Sequence, residues 1–215
     1  MPCHHPHCLE ITSSFVLLQL ALELFLQHCY PAWRRELRYS SLNKGGTKVV
    51  CYWDRAATKK TETNDPDYTV GIRLEKDKNN LLYVTDMVRT QQSPLGVQTT
   101  IKNTASQDGV GIRIGIEQDP GQAGVSEADY LVRMLQGYNV KTFKATQDKV
   151  TRALPVSSQA EAGNIKILQA LWNKDFLREL ENFSEGGHDD IVDALSGAFL
   201  MLTDSTYDLA SLIIL

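Results

Sequence analysis

Cysteine is scarce in this chain of 215 residues, and most of it stands near the start, at Cys3, Cys8 and Cys29, with Cys51 further on. Four cysteines placed in this way exclude the disulfide framework of a small secreted protein, so we expect a reducing, cytoplasmic compartment. Histidines lie beside Cys3 and Cys8, but no second ligand pair follows at zinc-finger spacing. An incidental polar tail therefore explains this tract better than a zinc site.

Long apolar runs and an excess of one charge are also lacking. The apolar stretch at residues 15–26 is too short to cross a bilayer and contains Glu23, and no lysine or arginine precedes it as in a signal peptide. We therefore expect no membrane partner. The net charge of −4 excludes a strongly basic nucleic-acid-binding protein. It does not exclude a nuclease, because a carboxylate site subtracts charge from the basic groove around it.

The composition is that of a globular domain with added terminal segments. Hydrophobic residues make up 42% of the chain and charged residues 22%, which are ordinary values for a folded domain. Residues 1–46 differ in character from the rest and end in Gly45 and Gly46, a plausible linker. We expect an N-terminal segment over 1–46, one domain over 47–204 and a C-terminal tail over 205–215.

Strand and helix signals alternate through the domain. Strand patterns cover 48–54, 68–74, 81–88, 113–117 and 139–143. Helical patterns cover 93–107, a helix capped by Ser126 and ended by Gly137, part of 157–170, and then 174–182 and 188–202. Short turns join the first three strands, and later connections cross over. The order predicts an α/β fold, a mixed sheet with antiparallel first three strands, flanked by helices.

Acidic residues stand at the ends of three of these elements. Asp54 ends the first strand and Glu117 the fourth, while Asp190 and Asp193 share one face at the start of the last helix. Such carboxylates can converge on one site, and their mutual repulsion makes a divalent metal the natural guest. The pattern indicates metal-assisted phosphodiester hydrolysis.

Structural explanations compete at several of these positions. A strand end tolerates a charged residue such as Asp54, and Asp189 or Asp190 can simply cap the last helix. Asp119 is better explained as a turn former before Pro120. For His188, capping or packing and the orientation of a water or a phosphate stay equally open.

Four blocks in order resemble the nuclease domain of phage terminase large subunits, a ribonuclease H-like family. They are 53–56 with 65–69 (Trp-Asp-Arg-Ala, Asp-Pro-Asp-Tyr-Thr), 116–124 (Ile-Glu-Gln-Asp-Pro-Gly-Gln-Ala-Gly), 148–153 (Asp-Lys-Val-Thr-Arg-Ala) and 187–194 (Gly-His-Asp-Asp-Ile-Val-Asp-Ala). The resemblance runs from about Val49 to Leu202. It implies a ribonuclease H-like fold and an endonuclease that cuts concatemeric double-stranded DNA during genome packaging.

The resemblance also implies roles for individual residues. Asp54, Glu117 and Asp190 would be catalytic, and with Asp193 they would hold two Mg²⁺ or Mn²⁺ ions roughly 3.5–4 Å apart. Asp189 is a weaker candidate for the third ligand. DNA phosphates would contact four basic residues, Lys149, Arg152, Arg55 and Lys59.

The chain departs from a whole terminase in one respect. No Gly-x-x-x-x-Gly-Lys-Ser/Thr loop occurs in it, so we expect the nuclease half without its ATPase motor. Partners implied by the resemblance are double-stranded DNA, a portal, a small terminase subunit and a separate ATPase in a bacterial host cell. The alternatives are an inactive prophage remnant or assembly module, and a junction-resolvase-like nuclease on the same fold.

Overall fold

The structure is a computed structural model that describes residues 48–56, 60–61, 63–144, 147–183 and 187–203. The predicted N-terminal segment over 1–46 and the tail over 205–215 lie outside these ranges, as does Lys59. No helix among the described residues combines the length and the apolar character needed to cross a membrane.

Six strands among the described residues form one mixed sheet in the order β5-β4-β1-β2-β3-β6. Antiparallel pairing joins β1 to β2 and β2 to β3, while β4 runs parallel to β1, β5 to β4 and β6 to β3. The predicted mixed sheet with three antiparallel leading strands is therefore confirmed. The bounds are β1 Lys48–Asp54, β2 Thr69–Lys76, β3 Leu82–Thr90, β4 Arg113–Gln118, β5 Asn139–Lys144 and β6 Ile165–Ile167.

Helices cover both faces of the sheet, so the described residues form three layers. The bounds are α1 Pro94–Asp108, α2 Gln122–Met134, α3 Lys149–Glu161, α4 Asn173–Glu181 and α5 Asp190–Thr203. Strand residues alternate between the faces, as the period of two requires. In β1, Cys51 and Trp53 belong to the hydrophobic cluster on one face, with buried residues of α1. Val50 and Tyr52 belong to the cluster on the other face, with residues of α3, α4 and α5.

One predicted helix cap is wrong, and one predicted helical segment is confirmed in part. The second helix begins at Gln122 after Gly121, so Ser126 lies inside it and does not cap it. Residues 157–170 are predicted to be partly helical, and 157–161 do form the end of the helix Lys149–Glu161, before the short strand β6. Pro155 lies within that helix, where a missing N–H normally indicates a break. Burial of Ala153 and Val156 against the sheet stabilises the helix across the proline.

Close packing around Tyr52 sets the position of α5. Its ring lies between Gly115, its register partner on β4, and Gly197 on α5. A Cβ atom at Gly197 would lie 2.2 Å from ring carbon Cε1, and one at Gly115 would lie 2.4 Å from Cδ2. Only glycine lets the helix and the strand approach the ring this closely. The N-terminal end of α5 is thereby held near the carboxyl ends of β1 and β4.

Candidate active site

Two predicted acids leave the sheet side by side. β1 and β4 are parallel and adjacent, with Trp53 paired to Ile116, so Asp54 and Glu117 each lie one residue beyond that pair. Asp54 lies two residues after Tyr52, and Glu117 lies two residues after Gly115. Since alternate residues of a strand face the same side, both acids face the layer that contains α5. The carboxyl ends of adjacent parallel strands form a common ligand-binding edge in α/β sheets.

The remaining predicted acids come from the first turn of α5. Asp190 is buried and its Oδ2 accepts a hydrogen bond from the backbone N of Tyr68 at 3.0 Å. Glu179 Oε1 accepts from the backbone N of Ile191 at 2.5 Å, which satisfies a donor at the start of the helix. Asp190 and Asp193 lie close enough to Asp54 that their charges, like that of Glu117, raise its pKa.

Arg152 of α3 lies between the two groups of carboxylates. Its Nη1 donates to both oxygens of Glu117, at 3.0 and 3.1 Å, and its Nη2 donates to Asp193 at 2.5 Å. Tyr52 adds a hydrogen bond from its hydroxyl to Glu117 Oε2 at 3.2 Å. The guanidinium side chain is only 10% exposed. This largely covered guanidinium therefore partly neutralises the cluster.

That neutralisation is incomplete, as the proton affinities of the acids indicate. Burial raises the pKa of Asp54 well above its usual range, and the Glu117, Asp193 and Asp190 carboxylates raise it further against the opposing effect of Arg152. Burial also raises the pKa of Asp193 to about 6, although Arg152 opposes this. The pKa of Asp190 is raised too, by burial first, against the hydrogen bond from Tyr68. Asp54, Asp190 and Asp193 therefore bind protons more strongly than exposed carboxylates do, first because they are buried and then because other carboxylates lie near them.

A second set of ligand atoms adjoins this cluster. Asp67, His188 and Asp190 each offer one atom, and the three atoms lie within 4.8 Å of one another. No role is predicted for Asp67 from the sequence, although it lies in the 65–69 block of the resemblance, and the role of His188 is left open. Asp67 belongs to the loop before β2 and reaches His188 only through the fold. The available signal was the position of Asp67. It lies just before β2, and the neighbouring strand β1 ends in the first acid, Asp54.

The other predicted DNA contacts are placed differently. Arg55 is buried: Nε and Nη2 donate to the backbone oxygen of Glu117, at 3.3 and 3.2 Å, and Nη1 pairs with Glu127 at 2.9 Å. Lys149 is exposed and pairs with Asp189. Arg152 faces the acids as described. The structure thus brings together Asp54, Glu117, Asp190, Asp193 and Arg152, while Lys149 lies at their margin.

Residues 51–202 match the family described as Terminase RNaseH-like domain. The chain belongs to this terminase nuclease-like family. Its ribonuclease H-like fold is likewise confirmed by solved structures. No protein of curated function is detectably similar to the chain in sequence.

Three solved terminase nucleases share the fold at low identity. The human cytomegalovirus terminase nuclease domain, soaked with manganese and bound to an inhibitor, is 16% identical with a TM-score of 0.64, over 86% of this chain and 97% of that one. The large terminase nuclease of thermophilic phage G20c, with bound zinc, is 22% identical with a TM-score of 0.52, over 71% and 80%. The nuclease domain of Thermus phage P74-26 is 20% identical with a TM-score of 0.52, over 74% and 82%.

Proposed function

We propose that this chain is a metal-dependent endonuclease that hydrolyses DNA phosphodiesters, as in the cutting of concatemeric DNA during phage genome packaging. The observation that carries the proposal is the convergence of Asp54, Glu117, Asp190 and Asp193 at the carboxyl edge of β1 and β4. These residues come from separate elements and share one region at a substantial cost in charge repulsion. Membership of the terminase family supports the same function.

The donor set fits divalent ions. Carboxylate oxygens are the ligands that Mg²⁺ and Mn²⁺ prefer, and Asp54, Glu117 and Asp190 would hold two such ions with Asp193 beside them. The G20c nuclease has been solved with bound magnesium and with bound cobalt as well as with zinc. Bound ions would supply charge neutralisation of the scissile phosphate and a more acidic water.

The protein's own groups have distinct parts in this proposal. Tyr52 holds the Glu117 carboxylate in place through its hydroxyl, and Arg55 ties the backbone of Glu117 to the end of β1. Lys149 is an exposed cation whose charge lowers the pKa of Asp193, and it would contact a DNA phosphate on exchanging its partner Asp189. Arg152 would turn from the acids to a phosphate once ions neutralise Glu117 and Asp193, which reconciles its observed ion pairs with a role in DNA binding.

The test is cleavage of supercoiled plasmid DNA with Mg²⁺ or Mn²⁺ by the full chain and by Asp54→Asn. The substitution keeps the shape of the side chain but removes an ionisable oxygen, so we expect nicking to fall at least about a hundredfold, the scale on which removing a charge-stabilising group acts. The control is Asp129→Asn, the same change at an exposed position on α2, which should cleave like the unaltered chain. Cleavage that survives Asp54→Asn would refute the assignment of the site.

One observation favours a second function, an assembly module without catalysis. Arg152 pairs with Glu117 and Asp193, as it would in a purely structural cluster. A folded chain that binds DNA or a packaging protein, yet cleaves no DNA with either metal, would establish this alternative. A preference for four-way junctions over linear duplex would instead indicate a resolvase-like nuclease.

A further inference from the structure

The loops before β2 and α5 bring one imidazole and two carboxylates together. His188 Nδ1 lies 3.6 Å from an Asp67 oxygen and 3.8 Å from Asp190 Oδ2. Both separations are too long for a hydrogen bond. They are, however, the separations of ligand atoms that share one ion, because atoms bound about 2.0–2.2 Å from a common centre lie roughly 3–4 Å apart.

The imidazole is oriented so that one nitrogen faces the two carboxylates. Nε2 lies 3.3 Å from Asp65 Oδ2, an acceptor for the ring N–H. With the proton on Nε2, the lone pair of Nδ1 points towards Asp67 and Asp190. Nδ1 is buried and has no hydrogen-bond partner among the described residues. A buried polar atom without a partner is destabilising, and a cation between the nitrogen and the carboxylates would remove that cost.

The surroundings of the ring hold this orientation. Tyr68 meets the imidazole edge to face, with centroids 5.1 Å apart and planes at 83°. The guanidinium carbon of Arg89 lies 3.4 Å from the centroid of the Tyr68 ring, and Arg89 also pairs with Glu179 at 3.1 Å. Metal-binding histidines commonly donate their second ring N–H to a carboxylate, which fixes the tautomer, and Asp65 occupies that place here.

We propose that Asp67, His188 and Asp190 bind one divalent transition-metal ion of the Mn²⁺, Co²⁺ or Zn²⁺ class through one nitrogen and two carboxylate oxygens. An imidazole ligand favours these ions over Mg²⁺, which prefers oxygen ligands throughout. Asp190 is common to this site and to the acids at the edge of β1 and β4, whereas Asp67 and His188 belong to the loops before β2 and α5. Its existence does not require nuclease activity; only its influence on DNA cleavage would rest on the proposed function.

The test is Mn²⁺ binding to the full chain, measured from the electron paramagnetic resonance signal of free Mn²⁺. We expect His188→Ala and Asp67→Asn each to weaken one class of Mn²⁺ sites about tenfold or more, and Asp129→Asn to leave binding unchanged. Every variant keeps the cysteine and histidine tract at 3–8, so that tract does not contribute to differences between variants. Asp67 is exposed, which makes its substitution safe for folding even where His188→Ala destabilises the loop.

The same titrations in an Asp54→Asn background separate this inference from the proposed function. A His188-dependent Mn²⁺ site that persists without Asp54 supports the inference, whether or not the unaltered chain cuts DNA. Binding that is equal in the unaltered chain, His188→Ala and Asp67→Asn would overturn it, and so would binding that depends on Asp54 alone. Competition by Mg²⁺ gives a second criterion: Mg²⁺ should displace Mn²⁺ from the His188 site far less readily than from the remaining sites.

Discussion

Replacing Arg152 by glutamine should make the stability of the chain depend on divalent metal. The guanidinium is the cation between Glu117 and Asp193, and its side chain and that of Glu117 are each only 10% exposed. Removing one partner of a buried ion pair typically costs 3–5 kcal/mol, because the other partner stays buried and uncompensated. Protonation of the acids limits this loss, so we expect about 3 kcal/mol at pH 7.5 without metal.

The dependence on pH and metal distinguishes this mechanism from loss of packing. Without Arg152 the pKa of Asp193, already raised to about 6 chiefly by burial, should rise further. The folded state then binds more protons than the unfolded one, so lowering the pH to 5 should recover part of the stability. Saturating Mg²⁺ or Mn²⁺ should recover it at pH 7.5, because ions that bind only the folded state stabilise it.

Urea unfolding at pH 5.0 and 7.5, with and without metal, measures these effects. The matched control is Arg178→Gln on α4, since Arg178 is 64% exposed and pairs with Asp175 at 3.4 Å. That surface pair should contribute no more than about 1 kcal/mol, with no dependence on metal. If Arg152→Gln loses the same stability under all four conditions, the guanidinium is not serving as the counter-charge of the acids and the reasoning is refuted.

Two further predictions concern the unaltered chain and its packing. The metal-free stability of the unaltered chain should fall as pH rises from about 4 to above 6. The raised pKa of Asp193 means that the folded state holds a proton which the unfolded state releases near pH 3.8. A free energy of unfolding that stays constant or increases over this range would contradict the prediction. Gly197→Ala should cost about 1–3 kcal/mol in urea unfolding, since its Cβ would lie 2.2 Å from the Tyr52 ring, and Ala198→Gly on the same helix tests whether any change at this turn does the same.

The sheet could be predicted from the sequence because its strands carry strong local signals. β1 is a continuous apolar run from Val49 to Trp53 that ends at Asp54, and both predicted bounds match the structure. Asp190 and Asp193 were found together because three-residue spacing on a helix fixes a shared face. Only the end of the helix over Lys149–Glu161 was predicted, because Pro155 outweighs its capping residue, although Asp148 accepts a hydrogen bond from the backbone N of Thr151 at 2.9 Å.

Contacts between distant segments could not be predicted in this way. Arg152 was expected to bind DNA, and nothing in its local sequence indicates that α3 turns it towards Glu117 and Asp193. The same holds for Asp67, which meets His188 from more than a hundred residues away, as Asp65 does across a separation of 123. Residue type and spacing identify candidates, whereas their partners depend on how elements pack across the sheet.

The charge balance of the cluster argues for function over structure. One guanidinium faces Glu117 and Asp193, while Asp54 and Asp190 add two further carboxylates whose pKa values are raised first by burial. A cluster serving stability alone would be improved by neutral side chains, because buried ion pairs often stabilise less than apolar residues of similar volume. Acids with perturbed pKa values gathered at a strand edge are typical of sites that bind or react. If Asp54→Asn raises metal-free stability while abolishing cleavage, stability and function oppose each other at this residue, as the nuclease proposal requires.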